Sequence, residues 1–167
     1  GDWLRKRGGA SPFTIASKGG ITRDENRRFN NEPKHLEEAL DASLKRLGVD
    51  VIDLYYVHRR DPEFEIEEVT ETLAGFVKAG KIKAIGYSEI APSSLRRAHS
   101  VHPVAAVQSE YSLSTRSPEM GLVQTCAEIG ASLVAFSPVG RALLTNRPHQ
   151  ADAIPELDFL KGNPRFN

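Results

Sequence analysis

The feature that most constrains this chain is an alternation of two periodicities. Short apolar, β-branched or aromatic runs at 13–17, 51–57, 82–87, 104–108 and 132–136 are separated by stretches whose apolar residues recur at helical spacing. Such runs have the character of strands buried on both faces. Between the first two, Leu36, Leu40, Leu44 and Leu47 share one helical face, with Pro33 placed for the first turn and Gly48 for the C-terminal cap. A helix over 66–79 aligns Val69, Leu73, Phe76 and Val77 and stops at Gly80. A shorter helix is predicted over 92–99. Another, over 118–129, buries Leu122, Cys126 and Ile129, with Ser117 as its N-cap and Gly130 at its end. Residues 2–7 read as the tail of a charged helix ending at Gly8 and Gly9.

Strands that alternate with helices, through connections too long for hairpins, run parallel with right-handed crossovers. The chain is therefore α/β, either a doubly wound sheet or a (β/α)8 TIM barrel. A dinucleotide-binding doubly wound sheet carries a glycine fingerprint after its first strand. Here that strand runs into Lys18, Gly19, Gly20 and Ile21 with no G-x-G-x-x-G. The barrel is the expectation. A closed one takes roughly 250 residues, so 167 residues with five parallel strands make it incomplete. Barrel enzymes carry their chemistry at the C-terminal ends of the strands. Each strand here ends in residues able to bind or react: Lys18, His58, Ser88 with Glu89, Gln108 with Glu110, and Ser137.

Lys plus Arg number 22 and Asp plus Glu number 22, so the formal net charge is zero. Nothing global attracts nucleic acid or an anionic membrane surface, and no apolar run approaches the roughly 18 residues of a membrane span. The expected partner is a small molecule. Cys126 is the single cysteine, which excludes an internal disulfide framework and fits a reducing cytoplasm. The chain opens at Gly1, its one methionine is Met120, and residues 146–167 hold Pro148, Pro155 and Pro164 with little periodicity. These features read as one partial domain over 1–167, cut from a longer chain, closing in a long loop that covers a site or leads to a further element.

The strand-end segments resemble the aldo-keto reductase family over essentially the whole chain. Ala16-Ser17-Lys18-Gly19-Gly20 resembles the third-strand segment that carries the family's lysine, and Asp53-Leu54-Tyr55-Tyr56-Val57-His58 the fourth-strand segment that carries its histidine. Ile85-Gly86-Tyr87-Ser88-Glu89, Val107-Gln108-Ser109-Glu110-Tyr111-Ser112 and Ala135-Phe136-Ser137-Pro138-Val139-Gly140-Arg141 resemble the cofactor-facing ends of the next three strands.

The resemblance implies hydride transfer from NADPH to the carbonyl carbon of an aldehyde or ketone, with a tyrosine giving its proton to the oxygen. In that scheme a neutral His58 donates a hydrogen bond to the oxygen as negative charge develops. Lys18, as an ammonium, brings the tyrosine's pKa toward working pH. Ser88 and Gln108 are implied to hold the nicotinamide carboxamide, Phe136 to stack on the nicotinamide ring, and Ser137, Gly140 and Arg141 to lie along the pyrophosphate. Two departures stand out. Glu89 occupies a position where many members have asparagine, and a carboxylate donates nothing to a carboxamide oxygen unless protonated. The family's tyrosine and its aspartate partner belong to the second strand, which would precede Gly1. Tyr55, Tyr56, Tyr87 and Tyr111 all fall in other motifs. The eighth strand and the basic segment for the 2′-phosphate are also missing, so NADPH over NADH is inherited from the family.

Several residues carry plainer expectations. His99 and His102 lack the further ligands of a zinc set, so no metal is expected. Cys126 reads as a small core residue, and Asp61-Pro62 as a turn. Arg59, Arg60 and the run from Arg23 to Arg28 read as solvated loop charges. Two other functions compete with the reductase: an inactive truncated barrel that binds nucleotide or a protein partner, and an unrelated barrel enzyme that binds phosphate. An incomplete barrel leaves two strand edges open, so residues 1–167 alone should be poorly soluble or oligomeric.

Overall fold

The computed structural model describes residues 1–8, 11–22 and 28–148. Gly9, residues 23–27 of the charged run and residues 149–167 of the long loop lie outside the described residues. Helix α1 (Asp2–Arg5) is followed by strand β1 (Ala16–Gly19), α2 (Pro33–Leu47), β2 (Ile52–Val57), α3 (Ile66–Lys78), β3 (Ile82–Ser88), α4 (Pro92–Val101), β4 (Val104–Glu110), α5 (Leu122–Ile129) and β5 (Ser132–Phe136). The strands form one sheet in the order β1-β2-β3-β4-β5, every neighbouring pair parallel. The five strands and the four helices expected between them are all present.

Helix ends follow the backbone chemistry. Pro33 opens α2, and Gly48, left-handed at φ 72°, closes it by donating its N–H to the Leu44 carbonyl at 2.8 Å. Gly130 closes α5 the same way at φ 74°. Two expected boundaries are corrected. Phe13 lies outside β1 and is 68% exposed. Its N–H donates to Ser11 Oγ, and that hydroxyl donates back to the Phe13 carbonyl, so a local turn consumes the groups a strand would pair. Ser117 is not the N-cap of α5 and makes no capping bond. It opens a 3-10 turn (Ser117–Met120) that ends at Gly121, whose φ of 136° interrupts the helix. A Cβ there would stand 3.2 Å from Pro92 Cγ.

Register sorts the strand residues by parity, because successive side chains point to opposite faces. Lys18 pairs with Tyr56, Tyr56 with Gly86 and Gly86 with Ala106; Ser88 pairs with Gln108, and Glu110 with Phe136. Toward the C-terminal ends of β2, β3 and β4 the odd-numbered residues face the helices. Tyr55, Val57, Ile85, Tyr87 and Val107 are buried there with Leu36, Leu40, Val69, Leu73 and Leu95. Burying each such side chain contributes roughly 1.5–3 kcal/mol. Cys126 belongs to this core. The even-numbered face carries Lys18, Tyr56, Ser88, Gln108 and Phe136. The N-terminal ends of β1, β2 and β3 are tied through Asp53. Its carboxylate accepts the Ile15 N–H at 2.8 Å and pairs with Lys83 at 2.6 Å.

Candidate functional site

Lys18 reaches from β1 across two strands, and its ammonium donates to the Gln108 side-chain oxygen on β4. Tyr56 forms the surface beneath it, with Lys18 Nζ 5.7 Å from the ring centroid. That ring needs Gly86, because a Cβ at 86 would stand 2.6 Å from two Tyr56 ring carbons. Burial, with Arg59 adding to it, holds the Lys18 pKa below the ordinary lysine value.

His58 follows β2, and its N–H donates to the Gly19 carbonyl at 2.8 Å, continuing the β1–β2 ladder by one step. Burial lowers its pKa, and the cations Lys18 and Arg59 lower it further. The lowered value favours the uncharged imidazole, which can donate one hydrogen bond. Lys18 and His58 line a cavity of about 710 Å³ together with Gly19, Ile21 and the α2 residues Ala39, Ala42 and Arg46. Among the described residues the outer edge of β1 pairs with no other strand.

Arg59 corrects the sequence reading. It is no solvated loop charge: Nη1 donates to the His58 carbonyl at 2.7 Å and to Ser88 Oγ at 3.0 Å. Ser88 is buried at the end of β3. Arg60 likewise has a buried Nε, and its charge helps lower the pKa of Glu67. Asn31, fully buried, fixes this loop by donating to the Arg59 carbonyl at 3.2 Å and accepting the Asp61 N–H at 2.8 Å. Neither Arg59 nor Asn31 is prominent in the sequence. The available signal is position: Arg59 directly follows a strand-end histidine, on the rim where such barrels work. The expected turn at Asp61 forms, with Asp61 Oδ1 accepting the Glu63 N–H at 3.1 Å.

Glu89 braces the rim. Its N–H donates to the Gln108 carbonyl at 3.0 Å, and its carboxylate accepts the Glu110 N–H at 2.7 Å and the Ser109 hydroxyl at 3.3 Å. It sits at φ 55°, in the left-handed region. Ser137 (φ 49°), Arg141 (φ 56°) and Ala142 (φ 73°) are the other described non-glycine residues there, joined by Gly140 at φ 59°. All these left-handed residues follow β3 or β5. Such outliers cost energy and concentrate at functional sites. Gly140 is buried in the turn after β5, its N–H donating to the Ser137 carbonyl at 2.8 Å. Lys18, His58, Ser88 and Gln108 are thus brought together. Phe136, Ser137, Gly140 and Arg141 form a second group at the end of β5, one strand beyond Gln108.

No tyrosine present is tuned as an acid. Burial raises the pKa of Tyr55, Tyr56 and Tyr87, and the Glu119 carboxylate raises that of Tyr111. The two spaced histidines have backbone partners: His99 Nδ1 accepts the Val104 N–H at 3.2 Å, and His102 Nδ1 lies 3.0 Å from the Pro103 carbonyl. Among the described residues no group of His, Cys, Asp and Glu could hold a metal ion, and no helix is long and apolar enough to cross a membrane.

Residues 1–160 match the Aldo/keto reductase family. The chain is 42% identical to the aldo-keto reductase yakc, NADP(+), of Schizosaccharomyces pombe, over 99% of this chain and 51% of that protein. It is also 42% identical to the aldo-keto reductase str7 of Strobilurus tenacellus, over 100% of this chain and 50% of that protein. Its fold superposes on a glycerol dehydrogenase from Gluconobacter oxydans with a TM-score of 0.80 and 27% identity, covering 92% of this chain and 49% of that one. The chain spans about half the length of these relatives, and its five strands with their helices are part of the (β/α)8 barrel. By sequence and by fold, the chain belongs to the aldo/keto reductase family.

Proposed function

We propose that this chain carries the lysine, the histidine and the nicotinamide-facing residues of an NADPH-dependent reductase of aldehydes or ketones. The observation that carries the proposal is the Lys18 to Gln108 hydrogen bond. It joins the catalytic candidates to the cofactor candidates on one face of the sheet, with Ser88 linked in through Arg59. NADP(+) stands in the name of one relative. The donor set suits a nicotinamide: a buried serine hydroxyl, a half-buried primary amide and, at the end of β5, a partly exposed aromatic ring. When bound, NADPH supplies the hydride.

The protein's own contribution is electrostatic. A neutral His58 donates a hydrogen bond to the carbonyl oxygen, which gains negative charge in the transition state. Lys18 keeps an ammonium in a partly buried setting, where it favours the phenolate of the family's tyrosine and so makes that group a better acid near neutral pH. Ser88 and Gln108 would hold the carboxamide, Phe136 would pack on the ring, and Ser137, Gly140 and Arg141 would bind the pyrophosphate.

The test is NADPH oxidation by the native full-length polypeptide against a panel of aldehydes and ketones, with Lys18→Met and His58→Gln alongside. Each substitution should lower kcat by roughly 10²–10⁴-fold while changing the Kd for NADPH much less. Oxidation that survives both substitutions at full rate would remove these residues from the chemistry. A chain that binds NADPH and turns over no carbonyl would favour the inactive remnant.

A further inference from the structure

Ser88 is buried to 4% exposure, and the partner shown for its hydroxyl is the Arg59 guanidinium at 3.0 Å. A serine hydroxyl has one hydrogen to give and two lone pairs, and its hydrogen rotates to suit its neighbours. A guanidinium only donates. Arg59 therefore occupies a lone pair of Ser88 Oγ and repels the hydroxyl hydrogen, which must point elsewhere.

Arg59 is itself held in place. The same Nη1 donates to the His58 carbonyl at 2.7 Å, and the backbone that follows it is fixed by the buried Asn31, through the Arg59 carbonyl at 3.2 Å and the Asp61 N–H at 2.8 Å. A planar, permanently charged fork anchored in this way orients a neighbouring hydroxyl more rigidly than a flexible ammonium would.

We propose that Arg59 is a positioning residue that turns the Ser88 hydroxyl into a dedicated hydrogen-bond donor toward the carbonyl oxygen of the nicotinamide carboxamide. This rests on the reading that Ser88 faces the nicotinamide. Arg59 touches neither cofactor nor substrate in this scheme and acts through Ser88.

The experiment is a double-mutant cycle on binding, in the native full-length polypeptide. Kd is measured for NADPH and for 2′-phospho-ADP-ribose, the same cofactor without its nicotinamide, in the unsubstituted protein, Arg59→Met, Ser88→Ala and the double variant. Arg59→Met should weaken NADPH about tenfold, the scale of one lost hydrogen bond between neutral groups. The double variant should bind no more weakly than Ser88→Ala alone, and 2′-phospho-ADP-ribose should bind all four proteins equally. Arg59→Lys keeps the charge without the fork and guards against a failure of Arg59→Met to fold. Its smaller loss should also vanish in the Ser88→Ala background.

Losses that multiply in the double variant overturn the inference. So does an equal weakening of the nicotinamide-free compound, which would make Arg59 a general support of the loop. If the unsubstituted protein binds NADPH no more tightly than 2′-phospho-ADP-ribose, the nicotinamide reading of Ser88 itself fails, and the inference fails with it.

Discussion

The two faces of the sheet are built by opposite rules. On the helix side, Tyr55, Val57, Ile85, Tyr87 and Val107 meet the apolar stripes of α2, α3 and α4. Their few polar atoms are satisfied within the core: Tyr55 Oη lies 3.5 Å from the Leu36 carbonyl, and Tyr87 Oη lies 2.7 Å from Thr70 Oγ1. On the other face a lysine, a neutral histidine and an arginine crowd together, Lys18 and His58 with lowered pKa values. The four described non-glycine residues with positive φ all follow strands on the rim at this end. One face is arranged for stability and the other holds charge and strain that folding alone does not require. That division is expected where stability is given up for chemistry.

The largest effect that would break the comparison is truncation of the helix-side face. Leu73 is fully buried in the core, so Leu73→Ala should cost about 2–5 kcal/mol, read as a lower midpoint in denaturant with the slope unchanged. Thr70→Val should cost less, about 1–3 kcal/mol. Thr70 Oγ1 gives its hydrogen to the Ile66 carbonyl at 2.6 Å, so Tyr87 must donate to Thr70, and the valine leaves that buried hydroxyl without an acceptor. Lys18→Met on the opposite face should leave Tm unchanged or raise it, because it removes a partly desolvated charge. A drop as large as that of Leu73→Ala would erase the distinction between the faces.

The smallest effect is one of pH. Burial and nearby cations lower the folded-state pKa of His58, so the folded chain binds that proton less readily than the unfolded chain. The stability associated with a neutral His58 is complete above the unfolded imidazole pKa and is lost as pH falls through the lower, folded value. Imidazole titration by NMR should place His58 below the ordinary histidine pKa. A value at or above it would contradict the neutral-donor role.

The fold was largely legible because its information is local and periodic. Leucines at 36, 40, 44 and 47, followed by Gly48, specify a helix and its end within one stretch of chain, and α2 spans Pro33–Leu47 as expected. The boundaries that failed were decided by contacts that periodicity does not encode. A serine hydroxyl two residues away took Phe13 out of β1, and Gly121 broke the helix predicted from 118. The site divides in the same way. Lys18, His58, Ser88 and Gln108 are visible because each ends a strand. Arg59 was misread as a surface charge because its partner, Ser88, lies 29 positions away. Asn31 was missed because its value lies in buried bonds to a different loop.

The most direct test of the account is backbone hydrogen exchange in the native full-length polypeptide with and without NADPH. Protection on binding should concentrate at the C-terminal ends of the strands, at residues 18–20, 58–59, 88–89, 108–110 and 137–142. The opposite rim around Asp53 and Lys83 and the outer faces of α2 to α5 should be unchanged. Protection centred on that opposite rim, or spread evenly over the helices, would contradict a cofactor site on the rim that joins Lys18 to Gln108.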